Sequence, residues 1–197
     1  MLNEREREAI AGLWAEKLAQ DARGLPRDER HRNLEPDSAE FICALAAGCH
    51  ARALLEIGGS SGLSTIALAA AARQTGGRLV SIEVERSRQE KARRRLRALG
   101  LSDRVEFVLA DAATVLDRYE GLEFVLLDCE KEDYVRFAGM LRLAPGAVVV
   151  ADNILSHELW DYVRHVRRLA GVESVTLPIG KGLEVSRFPG GSAGSIG

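Results

Sequence analysis

The chain has 197 residues, a length that fits one domain with a full hydrophobic core. Hydrophobic residues make up 46% of it and charged residues 28%, which is ordinary for a globular protein. A formal net charge of -2 excludes a general attraction to nucleic acid or to anionic membranes. No apolar run reaches the roughly 18 residues that a membrane-spanning helix needs. The charged start of the chain lacks a signal peptide's apolar region, and its cysteines lack metal-ligand spacing, so we expect a cytoplasmic protein.

The first 50 residues predict two helices ahead of the main fold. Apolar residues at helical spacing predict a first helix over about residues 3–20, and a second helix is expected to begin near Pro36. We expect residues 1–50 to contribute a lid or an interface to a single domain at 1–188. The glycine- and serine-rich segment 189–197 is expected to be a flexible tail.

From residue 51 onward, short apolar runs alternate with amphipathic helical stretches. Strands this apolar are covered on both faces, as parallel strands are in doubly wound sheets. The last two apolar runs flank a glycine-containing turn and are expected to pair antiparallel. The pattern therefore predicts an α/β, Rossmann-like doubly wound sheet of seven strands, mostly parallel with an antiparallel C-terminal strand and with helices on both faces. The expected strands lie at about 53–57, 78–83, 104–110, 122–128, 146–152, 172–179 and 183–188, and the expected helices at about 63–73, 87–99, 112–118, 131–142 and 157–170.

A glycine-rich turn follows the first expected strand and leads into a helix. In the segment EIGGSSGLST, the glycines allow a tight turn and let a ligand approach the backbone at a helix N-terminus. Glu83 ends the next strand about 20 residues later, where doubly wound folds place a carboxylate on ribose hydroxyls. A glycine-rich loop without a ligand is the alternative. The strand, the helix and the acid together favour a nucleotide site.

The spacing of the glycines indicates which nucleotide the loop would hold. A dinucleotide fingerprint reads G-x-G-x-x-G, and its second glycine leaves room for the pyrophosphate. Ser60 and Leu63 stand at its second and third glycine positions, and the pattern present is E-x-G-x-x-x-G-x-S. S-adenosylmethionine has no pyrophosphate, and its amino-acid end needs hydroxyls, amides and a carboxylate. We therefore expect S-adenosylmethionine to bind at Glu56, Gly58, Gly59, Ser60, Gly62, Ser64 and Glu83.

Polar side chains also end two later strands. Asp128 ends the run LEFVLLD, and Asp152 with Asn153 ends the run GAVVVAD. Adjacent parallel strands bring their C-terminal ends together, so these side chains are expected to converge above the sheet. Three oxygen ligands without a histidine or cysteine set suit Mg²⁺ or Ca²⁺ rather than zinc. Taken singly, each has an ordinary alternative, a helix cap for Asp128 and a turn signal for Asp152–Asn153.

Together these motifs resemble one known family, the cation-dependent O-methyltransferases of the catechol and caffeoyl-CoA type with their short prokaryotic relatives. The resemblance runs from about Leu34 to Phe188. Its specific parts are the segments EIGGSSGLST, SIEVERSRQEKAR, LLDCEKEDY, ADN and LPIGKGLEVSRF. It implies a class I methyltransferase that uses S-adenosylmethionine and a divalent cation.

The resemblance also implies roles for single residues. Lys131, which alone would be one of many surface lysines, corresponds to the general base, and Asp128 is the second catalytic residue. Asp111 and Ala112 fall where the family contacts adenine, and Asp128 also borders the cofactor. The implied metal ligands are Asp128, Asp152 and Asn153.

This chain departs from the family's usual motifs at three positions. Cys129 and Glu130 occupy the middle of a motif that usually reads D-A-D-K. Lys181 stands where the family often has the aspartate of P-I-G-D-G. These changes leave the implied metal ligands intact.

The implied reaction is methyl transfer to a hydroxyl of a small aromatic acceptor with two neighbouring hydroxyls, assisted by a divalent metal. Asp128→Ala is expected to abolish metal-dependent turnover and to leave S-adenosylmethionine binding nearly intact. One alternative is a methyltransferase without metal that acts on another acceptor, such as RNA or a non-aromatic metabolite. The others are a NAD-dependent oxidoreductase, which Ser60 disfavours, and a cofactor-binding protein without catalysis.

The partners expected from the sequence are a small-molecule acceptor and a second copy of the chain. Trp14 and the first helix are candidates for a dimer contact. The expected helix at 87–99 is rich in arginine, but acidic residues are mixed in and no aromatic residues are interleaved for base stacking. Neither nucleic acid nor a membrane is therefore expected as a partner.

Overall fold

The computed structural model of the chain describes residues 2–26 and 29–189. The expected flexible tail at 189–197 thus lies outside the described residues from residue 190 onward. The described α-helices are α1 (Glu4–Ala22), α2 (Pro36–Gly48), α3 (Leu63–Thr75), α4 (Arg86–Ala98), α5 (Tyr134–Met140) and α6 (Trp160–Arg168). The described strands are β1 (Ala53–Ile57), β2 (Arg78–Glu83), β3 (Val105–Leu109), β4 (Leu122–Leu127), β5 (Leu143–Ala151), β6 (Glu173–Leu177) and β7 (Leu183–Arg187). None of these helices is long and apolar enough to cross a membrane.

All the described strands join one sheet in the order β3-β2-β1-β4-β5-β7-β6. The neighbouring pairs from β3 to β5 are parallel, whereas β7 pairs antiparallel with both β5 and β6. The chain moves outward from β1 to β3 in one direction and from β4 to β5 in the other. This reversal between β1 and β4 is the switch point at which doubly wound sheets bind ligands. The predicted mostly parallel, Rossmann-like sheet is confirmed.

Helices cover both faces of the sheet, as the apolar strands require. Along β4, Phe124 and Leu126 pack in a core with α1, α2, α3 and α4, while Val125 and Leu127 pack in a second core with α5 and α6. Side chains alternate between the two faces of a strand, so a strand that is apolar at every position buries both faces. The continuous apolar runs in the sequence therefore identify the central strands.

The helix α3 lies deepest of the helices that surround the site. Every residue from Leu63 to Ala72 on it is buried. Alanine side chains fill half of these positions, so the helix backbone can lie close to both the sheet and α2. This packing fixes the start of α3 and the glycine-rich loop before it.

The predicted helix at 112–118 is wrong. The chain forms two short 3-10 turns there, Ala112–Thr114 and Leu116–Arg118. The Asp111 side chain accepts a hydrogen bond from the Ala113 amide at 2.9 Å and caps the first turn. Val115 between the turns has a φ of -134°, outside the helical region, so the turns do not merge into a helix.

Two further predicted helices are shorter than expected. The helix predicted at 131–142 consists of a 3-10 turn, Lys131–Asp133, followed by α5. The helix predicted at 157–170 begins only at Trp160. Asn153 and Glu158 have φ values of 64° and 53°, so the chain makes a turn after β5 before it becomes helical.

Candidate active site

Two cavities open at the edge where the parallel strands end. The first, of about 110 Å³, lies beyond β1, β2 and β3, and we call it the inner cavity. The second, of about 550 Å³, lies beyond β4 and β5, and we call it the outer cavity. The residues that line both cavities are Arg32, Asp128, Cys129 and Glu130. The two cavities are therefore neighbours that share one wall.

The glycines of the β1–α3 loop are required by close packing within the protein. Gly58 has a φ of 96°, and a Cβ added there would overlap the backbone carbonyl oxygen of Asp128. At Gly59 a Cβ would lie 2.5 Å from the Ser81 hydroxyl, and at Gly62 it would lie 3.0 Å from Ala92. The sequence interpretation explained these glycines by a tight turn and by ligand approach. The structure adds a further reason, the contact of the loop with β2, α4 and the end of β4.

Glu56 on β1 is fully buried beneath this loop. Its Oε2 accepts hydrogen bonds from Thr65 and Ser81, both at 2.7 Å. Its Oε1 is buried without a hydrogen-bond partner among the described residues. Burial raises the pKa of Glu56, and the hydroxyls of Ser64, Ser81 and Thr65 act in the opposite direction. A buried acceptor without a partner fits a ligand that donates a hydrogen bond.

Glu83 at the end of β2 holds the loop in place through backbone amides. Its Oε2 accepts from the Ser60 amide at 2.8 Å, and its Oε1 accepts from the amides of Val84 and Glu85, both at 2.9 Å. A carboxylate offers about four lone-pair sites, so one site on Oε2 is left. Glu83 also lines the inner cavity. Its role in holding the loop was not foreseen from the sequence.

The structure brings several of the predicted cofactor residues to the inner cavity. The residues of this set that line the inner cavity are Gly58, Ser60, Glu83, Asp111, Ala112 and Asp128. Asp111 and Ala112 follow β3 and form the wall opposite Gly58 in the sheet order. Gly59, Gly62 and Ser64 are buried in the loop and at the start of α3, and they do not line the inner cavity.

The predicted oxygen ligands also come together, at the ends of β4 and β5. The Asn153 side-chain amide donates to Asp128 Oδ1 at 2.9 Å. Asp152 is buried, and both its carboxylate oxygens lack a hydrogen-bond partner among the described residues. Asp128, Asp152 and Asn153 all line the outer cavity.

Burial dominates the electrostatics of this pair of carboxyls. It raises the pKa of Asp128 well above the ordinary value, and the charge of Asp152 raises it further. Burial likewise raises the pKa of Asp152 to about 7. Two neighbouring carboxylates, one of them with both oxygens buried and unpaired among the described residues, are costly unless a cation compensates them. The donor set therefore fits a divalent cation that binds oxygen ligands.

Lys131 begins the 3-10 turn after β4 and lines the outer cavity with the oxygen ligands. Its side chain is exposed, and it forms no ion pair with another described residue. An amine that is free to move at the mouth of a cavity can reach a bound acceptor. The structure thus places Lys131 in the same cavity as Asp128, Asp152 and Asn153.

The segment between α1 and α2 contributes residues that the sequence interpretation missed. Arg32 forms an ion pair with Glu130, and its backbone amide donates to the Ser60 hydroxyl at 3.2 Å. The side-chain oxygen of Asn33 accepts from the Ser61 hydroxyl at 2.9 Å, while its buried amide nitrogen has no partner in the described part of the chain. The segment covers the loop and lines both cavities. A polar connection between helices carries no local signal for such contacts.

His31 in the same segment predicts a pH dependence of stability. Its Nε2 lies 3.1 Å from Glu16 on α1, and burial, followed by the charge of Lys91, lowers its pKa from 6.5. The unfolded chain therefore binds more protons, and stability is lost as the pH falls below about 6.5. We expect the free energy of unfolding of His31→Gln to fall less than that of the wild type as the pH is lowered from about 8 to about 5, measured by urea unfolding. An equal loss in both proteins would contradict this role of His31.

Comparisons with known proteins agree with this geometry. Residues 14–195 match a family described as "Protein of unknown function (DUF1442)". Over 149 residues, or 73% of the chain, the sequence is 38% identical to the catechol O-methyltransferase of Mycobacterium tuberculosis. Over 130 residues, or 62% of the chain, it is 31% identical to that of Niastella koreensis. The matched regions span only 64% and 58% of these two relatives' own lengths.

A solved structure extends the similarity to the fold. The cofactor-bound protein Rv0187 from MTB superimposes with a TM-score of 0.77 and 27% identity, over 93% of this chain and 91% of that one. The similarity therefore includes the sheet, the helices on both of its faces and the edge of the sheet at which the two cavities open. The chain thus belongs to the DUF1442 family, and it is similar in sequence to the catechol O-methyltransferases named above.

Proposed function

We propose that the chain transfers a methyl group from S-adenosylmethionine to a hydroxyl group of a small acceptor. The observation that carries the proposal is the wall shared by the two cavities. Asp128 lines both the inner cavity, with Glu83, and the outer cavity, with Asp152 and Lys131. A methyl donor in one cavity would therefore lie next to an acceptor in the other. Direct transfer requires this kind of positioning.

We assign the cofactor to the inner cavity and the loop beneath it. The lone-pair site left on Glu83 Oε2 would accept from a ribose hydroxyl, and Asp111 with Ala112 would border the adenine. The buried Glu56 Oε1 without a partner supports a place for the ammonium group near the loop. The further residues of this proposed site are Gly58, Gly59, Ser60, Gly62, Ser64 and Asp128.

We assign the acceptor and a divalent cation, Mg²⁺ or Ca²⁺, to the outer cavity. Asp128, Asp152 and Asn153 would hold the ion. When bound, such an ion polarises neighbouring acceptor oxygens and favours the loss of a hydroxyl proton. Lys131 would accept that proton, because its exposed amine lies in the same cavity. The volume of about 550 Å³ supports a small acceptor, and we favour an aromatic one with two neighbouring hydroxyls.

Binding calorimetry tests the cofactor first. We expect S-adenosylmethionine to bind at least about tenfold more tightly than NAD, because Ser60 takes the room that a pyrophosphate needs. Methyl transfer is then measured on a panel of vicinal diphenols with Mg²⁺ or with EDTA. Tighter binding of NAD would overturn the methyltransferase proposal. Binding of S-adenosylmethionine without transfer to any diphenol would overturn only the proposed acceptor class.

The proposal includes one methyltransferase domain at 1–188, a cytoplasmic location and a homodimer. The free thiols of the cysteines suit a reducing compartment. We do not propose nucleic acid as the acceptor, because arginines of α4 serve contacts within the protein. Arg93 stacks on Phe107, and Arg95 forms an ion pair with Glu16 at 2.7 Å.

A further inference from the structure

Lys181 is fixed beside the oxygen ligands by its main chain. It lies in the turn between β6 and β7, and its carbonyl oxygen accepts from the amides of Leu155 at 3.0 Å and Ser156 at 3.3 Å. The next carbonyl, that of Gly182, accepts from the Ile154 amide at 3.0 Å. The turn is thus bonded to the residues that directly follow Asn153. Its position relative to the ligands is set by backbone hydrogen bonds and not by a flexible loop.

The side chain of Lys181 extends into the outer cavity. Its Nζ lies 3.0 Å from Glu35 Oε1 at the start of α2, and the residue lines the cavity together with Asp128 and Asp152. The charge of the ammonium acts on both carboxyls, because it opposes the rise in pKa that burial causes in each of them. Neither Asp152 oxygen has a hydrogen-bond partner in the described residues, so Lys181 acts on Asp152 through its charge without a direct bond.

We propose that Lys181 is a built-in competitor of the divalent cation and sets the affinity of the Asp128–Asp152 pair for it. The inference rests on the proposed function, which assigns the ion to these residues. The ammonium partly compensates the two carboxylates when no ion is present. A divalent ion must then bind against the repulsion of a positive charge that lines the same cavity. Lys181 does not form a hydrogen bond with the carboxylate oxygens of Asp152. It therefore lowers the affinity for the ion without occupying the position of the ion.

Glu35 controls how strongly this competition acts. The ion pair with Glu35 holds the ammonium at the edge of the cluster, and the side chain of Glu35 is only 16% exposed. Without that carboxylate, the ammonium is free to move toward Asp152. Glu35 is therefore a positioning residue for Lys181, and the two side chains should be coupled in their effect on the ion.

Mn²⁺ binding, followed by electron paramagnetic resonance of the free ion, tests the competition without an activity assay. We expect Lys181→Gln to bind Mn²⁺ at least about tenfold more tightly than the wild type. Glutamine keeps a hydrogen-bond donor, although on a shorter side chain, and removes the charge. The matched control is Lys17→Gln, because Lys17 lines the same cavity but pairs with Asp21 at 2.5 Å. Its affinity should stay within about twofold of the wild type.

Further variants separate this inference from the proposed function. Glu35→Gln alone should lower the affinity for Mn²⁺. The same substitution should lower the affinity less in a chain that also carries Lys181→Gln. Asp152→Asn should abolish binding, which locates the ion at the cluster. Equal Mn²⁺ affinity in Lys181→Gln and the wild type would overturn the competition. No binding in any variant would overturn it together with the metal assignment, while calorimetry with S-adenosylmethionine tests the cofactor site separately.

Discussion

Replacing Asp152 with asparagine should lower methyl-transfer turnover on the order of 100- to 1,000-fold, because one charged ligand of the proposed ion is lost. S-adenosylmethionine affinity should stay within about threefold of the wild type. Asp152 lines only the outer cavity, whereas Asp128 lines both. Asp152→Asn is therefore a cleaner test than the Asp128→Ala change that the sequence suggests. Steady-state kinetics with Mg²⁺ and calorimetry with the cofactor measure the two quantities.

Stability should change in the opposite direction in the same variant. The pKa of Asp152 is raised to about 7 in the folded chain, so its ionisation costs stability as the pH rises from about 4 through 7. An uncharged side chain of the same shape does not incur that cost. Without a metal ion at about pH 8, Asp152→Asn should unfold at a higher temperature than the wild type. Loss of activity with increased stability cannot be attributed to misfolding.

The control for this variant is Asp161→Asn. Asp161 is 90% exposed and pairs only with Arg164 on the surface of α6, so the same chemical change should leave turnover and cofactor binding unchanged. If Asp152→Asn lost S-adenosylmethionine binding and turnover to the same degree, the assignment of separate cavities to cofactor and ion would be wrong.

The sequence predicted those parts of the site that depend on strand ends. Asp128 and Asp152 could be placed together because each directly follows a continuous apolar run, and parallel strands align their C-terminal ends. Glu83 could be placed near the loop for the same reason. Such positions follow from the order of the strands, which hydrophobic patterning reveals well.

The parts that were missed depend on contacts between segments that are far apart in the chain. Arg32 reaches Glu130 across 98 positions, and Lys181 reaches Glu35 between a turn and a helix start. No local periodicity encodes such pairs. The predicted helix at 112–118 failed for a different, local reason. Asp111 bonds to the backbone two residues on, and this local turn outweighs weak helical propensity.

The glycine-rich loop has a role in packing that the sequence interpretation did not include. Gly58→Ala should lower the free energy of unfolding by more than about 3 kcal/mol. A methyl group there would overlap the carbonyl oxygen of Asp128, a backbone atom that is held because the Asp128 amide donates to Ile57 at 3.0 Å. The φ of 96° adds backbone strain. Urea unfolding in the absence of any ligand measures the effect.

The matched control is Gly76→Ala at the end of α3. Gly76 also has a positive φ, 71°, but a Cβ added there meets nothing within 4 Å. The free energy of unfolding should then fall only by the cost of the backbone strain, about 1–2 kcal/mol. The difference between the two variants isolates the clash with Asp128 from the cost of a left-handed conformation. Equal losses would mean that the loop can move away from β4, and that the packing of the loop against Asp128 does not set its position.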